Sequence, residues 1–313
     1  MEEIVDFKKY PNLLLLLWDT PEKEMEAFDA FRLLDCRLSK YIKNSWLSDE
    51  EKELLHRLAE KFGGGVPIIR EVWSNNVSPK EIIEVVTEHI DRRFLEAGQF
   101  RFSGGALSSI RHGGYRGCTD IEFLSSKIIP FNSIKDRVYG SADLKLAREP
   151  FIDKDAVMVW AICNENIIRM DFMCEHRFDF GITEDFYGVK ALNNTDLMAY
   201  KLLAYSDSDS DISFNDIKTA KEISDILAIY KDCQETLAPA WDIALDVYSI
   251  WFGSAMKRLA SIDSEVSVKD ILIAGGVKGQ FLEEFLQVIP SFCGEIRSLI
   301  KTVPDIQADP PGI

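Results

Sequence analysis

The chain has 313 residues, 46% of them hydrophobic, enough to build the core of one large domain or two small ones. Its formal net charge of −16 argues against broad, nonspecific nucleic-acid binding, which depends on neutralising phosphates. Six cysteines show no Cys-x-x-Cys and no zinc spacing with the four histidines, so they read as reduced thiols of a cytoplasmic protein.

Residues 1–98 read as a helical segment. The most concentrated apolar run, residues 13–18, is far short of the ~20 residues that span a membrane. It follows Lys8 and Lys9 without a small-residue cleavage site, so a buried strand or helix edge is expected there rather than a signal peptide. Ser48-x-x-Glu51 and Ser78-Pro79-Lys80-Glu81 are capping boxes, the second with proline at the first helical position. The second box opens a helix expected over residues 79–97, packed beside the strand that follows. Strands are predicted over residues 99–103, 119–125, 156–163 and 166–173. Asn164-Glu165 reads as a hairpin turn that sets the last two antiparallel.

Residues 191–303 are predicted helical again. The Ser/Asp alternation at 206–211 reads as a solvated linker. Gly275, Gly276, Lys278 and Gly279 lack the Gly-Lys-Ser/Thr of a phosphate-binding loop and read as a turn. Residues 304–313 read as a loose tail. The expected organisation is an N-terminal helical segment (1–98), a core (99–205) and a C-terminal helical domain (206–313), in the α+β class.

The chemistry concentrates in the core. On a strand over 119–125, Asp120 and Glu122 share one face while Ile121 and Phe123 share the other. Two adjacent carboxylates repel unless a cation sits between them. Mg²⁺ suits the pair, because it takes hard oxygen ligands and keeps places open for phosphate oxygens and water. Asp171 lies in the second apolar strand, and pairing of the two strands would bring three acids to one spot. Two metal ions about 4 Å apart could then hold the attacking and leaving oxygens of an in-line displacement. Upstream, Gly104 and Gly105 lie between a short strand and the start of a helix at 106–110. Glycine there lets backbone approach a ligand, and a helix N-terminus presents N–H groups to a triphosphate. Arg101, Arg111, His112, Arg116 and Lys127 give the region a local basic patch that could hold a nucleoside triphosphate or an RNA end.

The ordered set Gly104-Gly105, Asp120-x-Glu122 and Asp171 resembles the minimal polymerase β-type nucleotidyltransferases. More narrowly it resembles the AbiEii/AbiGii toxin-like nucleotidyltransferases of abortive-infection and toxin–antitoxin systems. Three further segments carry that narrower resemblance. Arg116 stands four residues before the first acid, Lys201 sits in Thr195-Asp-Leu-Met-Ala-Tyr-Lys-Leu-Leu-Ala, and Lys221-Glu222-Ile-Ser-Asp225 matches a closing Lys/Arg-Asp-x-x-Asp motif. The resemblance covers about residues 99–230 and departs at several points. Ala106 stands where a Ser or Thr follows the diglycine, so Ser103, Ser108 or Ser109 would have to supply the hydroxyl. Glu122 and Glu222 replace aspartates, and no Arg follows Ala204.

The resemblance implies a polymerase β-type core with a mixed sheet, flanked by helical segments. It implies Mg²⁺ on Asp120, Glu122 and Asp171, with Ser103, Gly104, Gly105, Ser108, Arg116, Lys201 and Lys221 about the nucleotide. Asp225 would be a base or a positioning group near the acceptor. Lys201 could equally extend along its apolar helix to water, and Lys221 and Asp225 could pair across one helical turn. The implied activity transfers a nucleoside monophosphate from an NTP to a hydroxyl of RNA (tRNA among them), protein or a small molecule. An antitoxin would be the protein partner, and no membrane partner is expected. The alternative is a silent protein of the same fold serving as an antitoxin or interaction scaffold.

Overall fold

The computed structural model describes residues 3–17, 20–41, 47–63, 68, 78–118, 120–134, 145–146, 150–163, 166–207, 217–264 and 268–302. The predicted turn at Asn164-Glu165, most of the Ser/Asp linker and the tail lie outside them. The chain divides into two compact units: Met1–Asn76 with Leu144–Phe151 and Val159–Arg169, and the remainder, which holds every candidate site residue.

The first unit begins with β1 (Ile4–Asp6), α1 (Pro11–Leu14), β2 (Glu24–Glu26), α2 (Ala27–Tyr41) and α3 (Asp49–Phe62). The expectation of a helical segment over residues 1–98 is corrected at its start, because β1 and β2 pair antiparallel with Val5 opposite Met25. Three-residue strands are too short to show a periodicity. The Ser48 capping box forms as predicted. Its Glu51 is buried and also accepts from the backbone N–H of Asn12 (2.8 Å) and Leu13 (3.2 Å), so one carboxylate serves the starts of α1 and α3.

The second unit opens with α4 (Pro79–Glu84), capped by Ser78 and Glu81 as predicted. The single helix expected to residue 97 is instead broken. Val85–His89 forms a π-helical turn, Ile90 is extended, and α5 (Arg92–Ala97) starts afresh. The β-branched residues Ile82, Ile83, Val85, Val86 and Thr87 crowd this stretch, and Asp91 offers a new cap by accepting from Arg93 N–H at 2.9 Å. There follow β3 (Arg101–Ser103), α6 (Gly104–Arg111), β4 (Asp120–Ser125) and α7 (Ile128–Ile134); β5 (Lys145–Leu146) belongs to the first unit, and β6 (Phe151–Ile152) is divided between the two. Next come β7 (Ala156–Cys163), β8 (Asn166–Cys174), β9 (Glu184–Phe186) and β10 (Val189–Ala191). The helices α8 (Asn194–Ser206), α9 (Ile217–Asp232), α10 (Leu237–Leu259), α11 (Val268–Ala274) and α12 (Gly279–Thr302) complete the chain, as the helical C-terminal expectation required.

The strands pair in the order β5-β7-β8-β4-β3-β10-β9, with β6 also on β7. β3 and β4 are antiparallel, whereas β10 joins β3 in parallel, so the sheet is mixed and the class is α+β as expected. The sequence did not signal α7, β5, β6, β9 or β10. The four strands are two or three residues long. Within the second unit, α8 packs on α9 and α10, and α9 on α6, α11 and α12. Cys118, Cys174, Cys233 and Cys293 are free thiols. No helix among the described residues is long and apolar enough to cross a membrane.

Candidate active site

The predicted alternation on β4 holds: Ile121 and Phe123 are buried, while Asp120 and Glu122 are half-buried. The Phe123 ring stacks on Phe172 of β8, with centroids 5.3 Å apart and planes at 11°, and also meets Phe102 of β3 at 5.7 Å. Neighbouring residues on a strand face opposite ways. An aromatic face built from Phe102, Phe123 and Phe172 therefore puts Ser103, Glu122 and Asp171 together on the other face, with Asp120 two residues from Glu122. The ladder sets Ser103 directly opposite Glu122. Burial, followed by the charges of Asp120 and Asp171, pushes the Glu122 carboxyl up to about 8, against the opposing pull of the Lys201 ammonium. Tyr200 of α8 lies with its hydroxyl 3.5 Å from Glu122 Oε2. Among the described residues these acids do not form a group with all ligand oxygens within 4.8 Å. Their chemistry nonetheless suits a hard cation: three carboxylates on one face, one of them pushed toward its neutral form by burial first and by the charges of the other two second.

The diglycine stands against this acid face. Gly104 has φ +71°, and a Cβ there would lie 2.1 Å from Glu122 Oε2. A Cβ on Gly105 would lie 1.8 Å from Arg116 Nη2. The two glycines are thus required for different reasons, one by the acid and one by the guanidinium. α6 begins at Gly104, and Ser103 caps it from extended backbone without a side-chain cap bond. The Ser103 hydroxyl donates to the Glu122 carbonyl at 3.4 Å. Ser108 bonds Tyr115 at 3.0 Å and Ser109 donates to the Arg116 carbonyl at 2.7 Å, and all three serines are buried. Each of the hydroxyls expected to stand in for Ala106 therefore has a structural partner.

Asp225 of α9 is fully buried at the centre of a charged network. Its Oδ1 accepts from Arg116 Nε at 2.6 Å and Tyr115 Oη at 2.5 Å. Its Oδ2 accepts from Arg116 Nη2 at 2.9 Å and Lys201 Nζ at 2.8 Å. Burial alone would raise this carboxyl, but the Arg116 and Lys201 cations hold it well below the usual carboxylate range. Of the two roles open to Asp225, base or positioning group, this geometry favours positioning. Lys201 is buried and also pairs with Glu222 at 2.9 Å. The alternative that Lys221 and Asp225 pair across a helical turn sits beside the contacts both Asp225 oxygens make to residues from other elements. Lys221 is half-buried on the same helix.

The turn at Gly275 and Gly276 forms as predicted, and it has a further part in the site. Val277 bridges Arg116, and Lys278 donates its N–H to the Tyr115 carbonyl at 2.8 Å and its ammonium to the Gly114 carbonyl at 2.6 Å. The expected basic patch is largely consumed by internal pairing. Arg111 binds the Leu192 carbonyl, Asn194 and Glu184; His112 binds Asp232; Lys127 binds Asp179; Arg116 binds Asp225. Tyr115 and Tyr200 were not singled out from the sequence. Their only signal there is adjacency to Arg116 and Lys201.

No protein-family model matches the chain, and no curated protein is significantly similar to it. Two solved structures overlap it loosely. One is the protein JHP933 from Helicobacter pylori, at 14% identity and a TM-score of 0.43, over 73% of this chain and 94% of that one. The other is a candidate nucleotidyltransferase from H. pylori, at 12% identity and a TM-score of 0.43, over 73% and 97%. Overlap at this level carries no information about chemistry.

Proposed function

We propose that this chain is a Mg²⁺-dependent nucleotidyltransferase with a polymerase β-type core. It would move a nucleoside monophosphate from an NTP to a hydroxyl of an RNA such as tRNA, a protein or a small molecule. The observation that carries this reading is the fit of Gly104 onto the Glu122 carboxylate, on the sheet face that Glu122 shares with Asp171. Asp120, Glu122 and Asp171 are the residues that would hold Mg²⁺, which when bound offsets phosphate charge as a Lewis acid. The N–H groups opening α6 receive the triphosphate. Arg116, locked on Asp225, packs against Gly105 at the start of α6. The acceptor hydroxyl attacks the α-phosphorus, the bond to the β-phosphate oxygen breaks, pyrophosphate leaves, and Asp171 would help activate the acceptor by taking the hydroxyl proton. By the AbiEii-like resemblance, the proposed cellular role is the toxin-like half of a toxin–antitoxin or abortive-infection system, with an antitoxin protein as partner.

A second reading, a silent scaffold of the same fold, is favoured by one observation. Arg116 and Lys201, two of the three cations expected about the nucleotide, are both engaged by the buried Asp225. Incubation with NTPs labelled at the α- or the γ-phosphate, with total RNA and lysate, separates the readings. Transfer from the α-phosphate, abolished by Asp171→Asn with the fold retained, is the expected result. Transfer from the γ-phosphate would mean a kinase. No transfer, together with no rise in melting temperature on adding Mg²⁺ and NTP, would favour the scaffold.

A further inference from the structure

Away from the sheet, Glu84, Glu88 and His89 bring two carboxylates and an imidazole together, with one ligand atom from each within 4.8 Å of the others. Glu84 and His89 are half-buried and Glu88 is exposed. The cause is the π-helical turn over Val85–His89. In an α-helix, at roughly 100° per residue, Glu88 and His89 would lie about 40° and about 140° round from Glu84. In a π-turn, at roughly 82° per residue, they lie about 33° to one side of it and about 49° to the other. Only the wider turn puts the imidazole on the same face as both carboxylates. π-Turns are rare, occur mostly as single turns, and are frequent at functional sites.

The geometry points to a second, separate metal site, in which Glu84, Glu88 and His89 bind a borderline divalent transition ion such as Zn²⁺. A nitrogen donor beside two carboxylates suits such an ion better than Mg²⁺, which prefers all-oxygen surroundings and keeps much of its water. Three protein ligands also leave a coordination position for water. The site does not depend on the nucleotidyltransferase reading.

Calorimetric titration of the full chain with ZnCl₂, in buffer holding excess MgCl₂, tests it. One Zn²⁺ site is expected in the wild type and in Asp120→Ala. His89→Asn and Glu84→Gln should each weaken it about tenfold or more, with circular dichroism unchanged. Cobalt(II) titrated in place of zinc should give visible ligand-field bands without thiolate charge transfer. Wild-type affinity in both His89→Asn and Glu84→Gln would overturn the assignment. So would loss of the site in Asp120→Ala, or a thiolate band with cobalt.

Discussion

Asp225→Asn is the sharpest probe of the buried network. The substitution keeps the shape of the side chain but removes the charge that two cations share. Of the four donors that now reach the carboxylate, Tyr115 and Arg116 Nε meet one oxygen, and Arg116 Nη2 and Lys201 meet the other. An amide replaces one oxygen by a donor, so two of these contacts become donor against donor. Removing one partner of a buried ion pair costs about 3–5 kcal/mol. Arg116 loses its carboxylate partner while Lys201 keeps Glu222, so a loss within that range is expected, a large share of the ~5–15 kcal/mol that stabilises a typical domain. Urea unfolding at neutral pH, followed by circular dichroism, measures the loss. The pH dependence has a definite sign. The folded carboxyl lies below its unfolded value, so its contribution is present above about pH 4 and is lost as pH falls further. Wild type should therefore lose stability on acidification more steeply than Asp225→Asn. A loss under about 1 kcal/mol at neutral pH, well below the range for a broken buried pair, would refute the reasoning. So would identical acid slopes in the two proteins.

Two other predictions follow from the acid face. Gly104→Ala places a Cβ at positive φ against Glu122 Oε2. It should cost about 1–3 kcal/mol in strain and displace the acid, removing the thermal shift caused by Mg²⁺ and NTP; an unchanged shift would count against the proposed site. Glu122 holds its proton up to about pH 8 in the metal-free chain. Its folded value lies above its unfolded one, so metal-free stability should fall as pH rises from about 4.5 toward 8. Mg²⁺ binding, which needs the ionised form, should strengthen over the same range and then level off. Glu122→Gln should flatten both profiles, read by melting temperature in EDTA and by Mg²⁺ titration.

The sequence by itself determined the local features: both capping boxes, the period-2 separation of Asp120 and Glu122 from Ile121 and Phe123, and the helical run after residue 191. Each depends on residues a few positions apart, where backbone geometry alone decides which side chains share a face. The same local signal set Gly104 and Gly105 between a strand and a helix, whereas the helix starts at Gly104 itself, and it did not show why both must be glycine. That depends on Glu122 and Arg116, brought there by strand pairing and by the Tyr115–Arg116 segment. Tertiary structure also decided that Asp225 binds Arg116 and Lys201, that Tyr200 faces Glu122, and that the basic patch is largely spent on internal pairing. It placed the C-terminal helices in the same compact unit as the acid face. The break at Val85–His89 lay between the two. Its β-branched run and the Asp91 cap are visible in the chain, but a π-turn differs from an α-turn by a single hydrogen-bond register. The common physical reason is distance in sequence. Charge pairing in a buried network is chosen by which helices and strands pack together, and no short-range pattern encodes that choice.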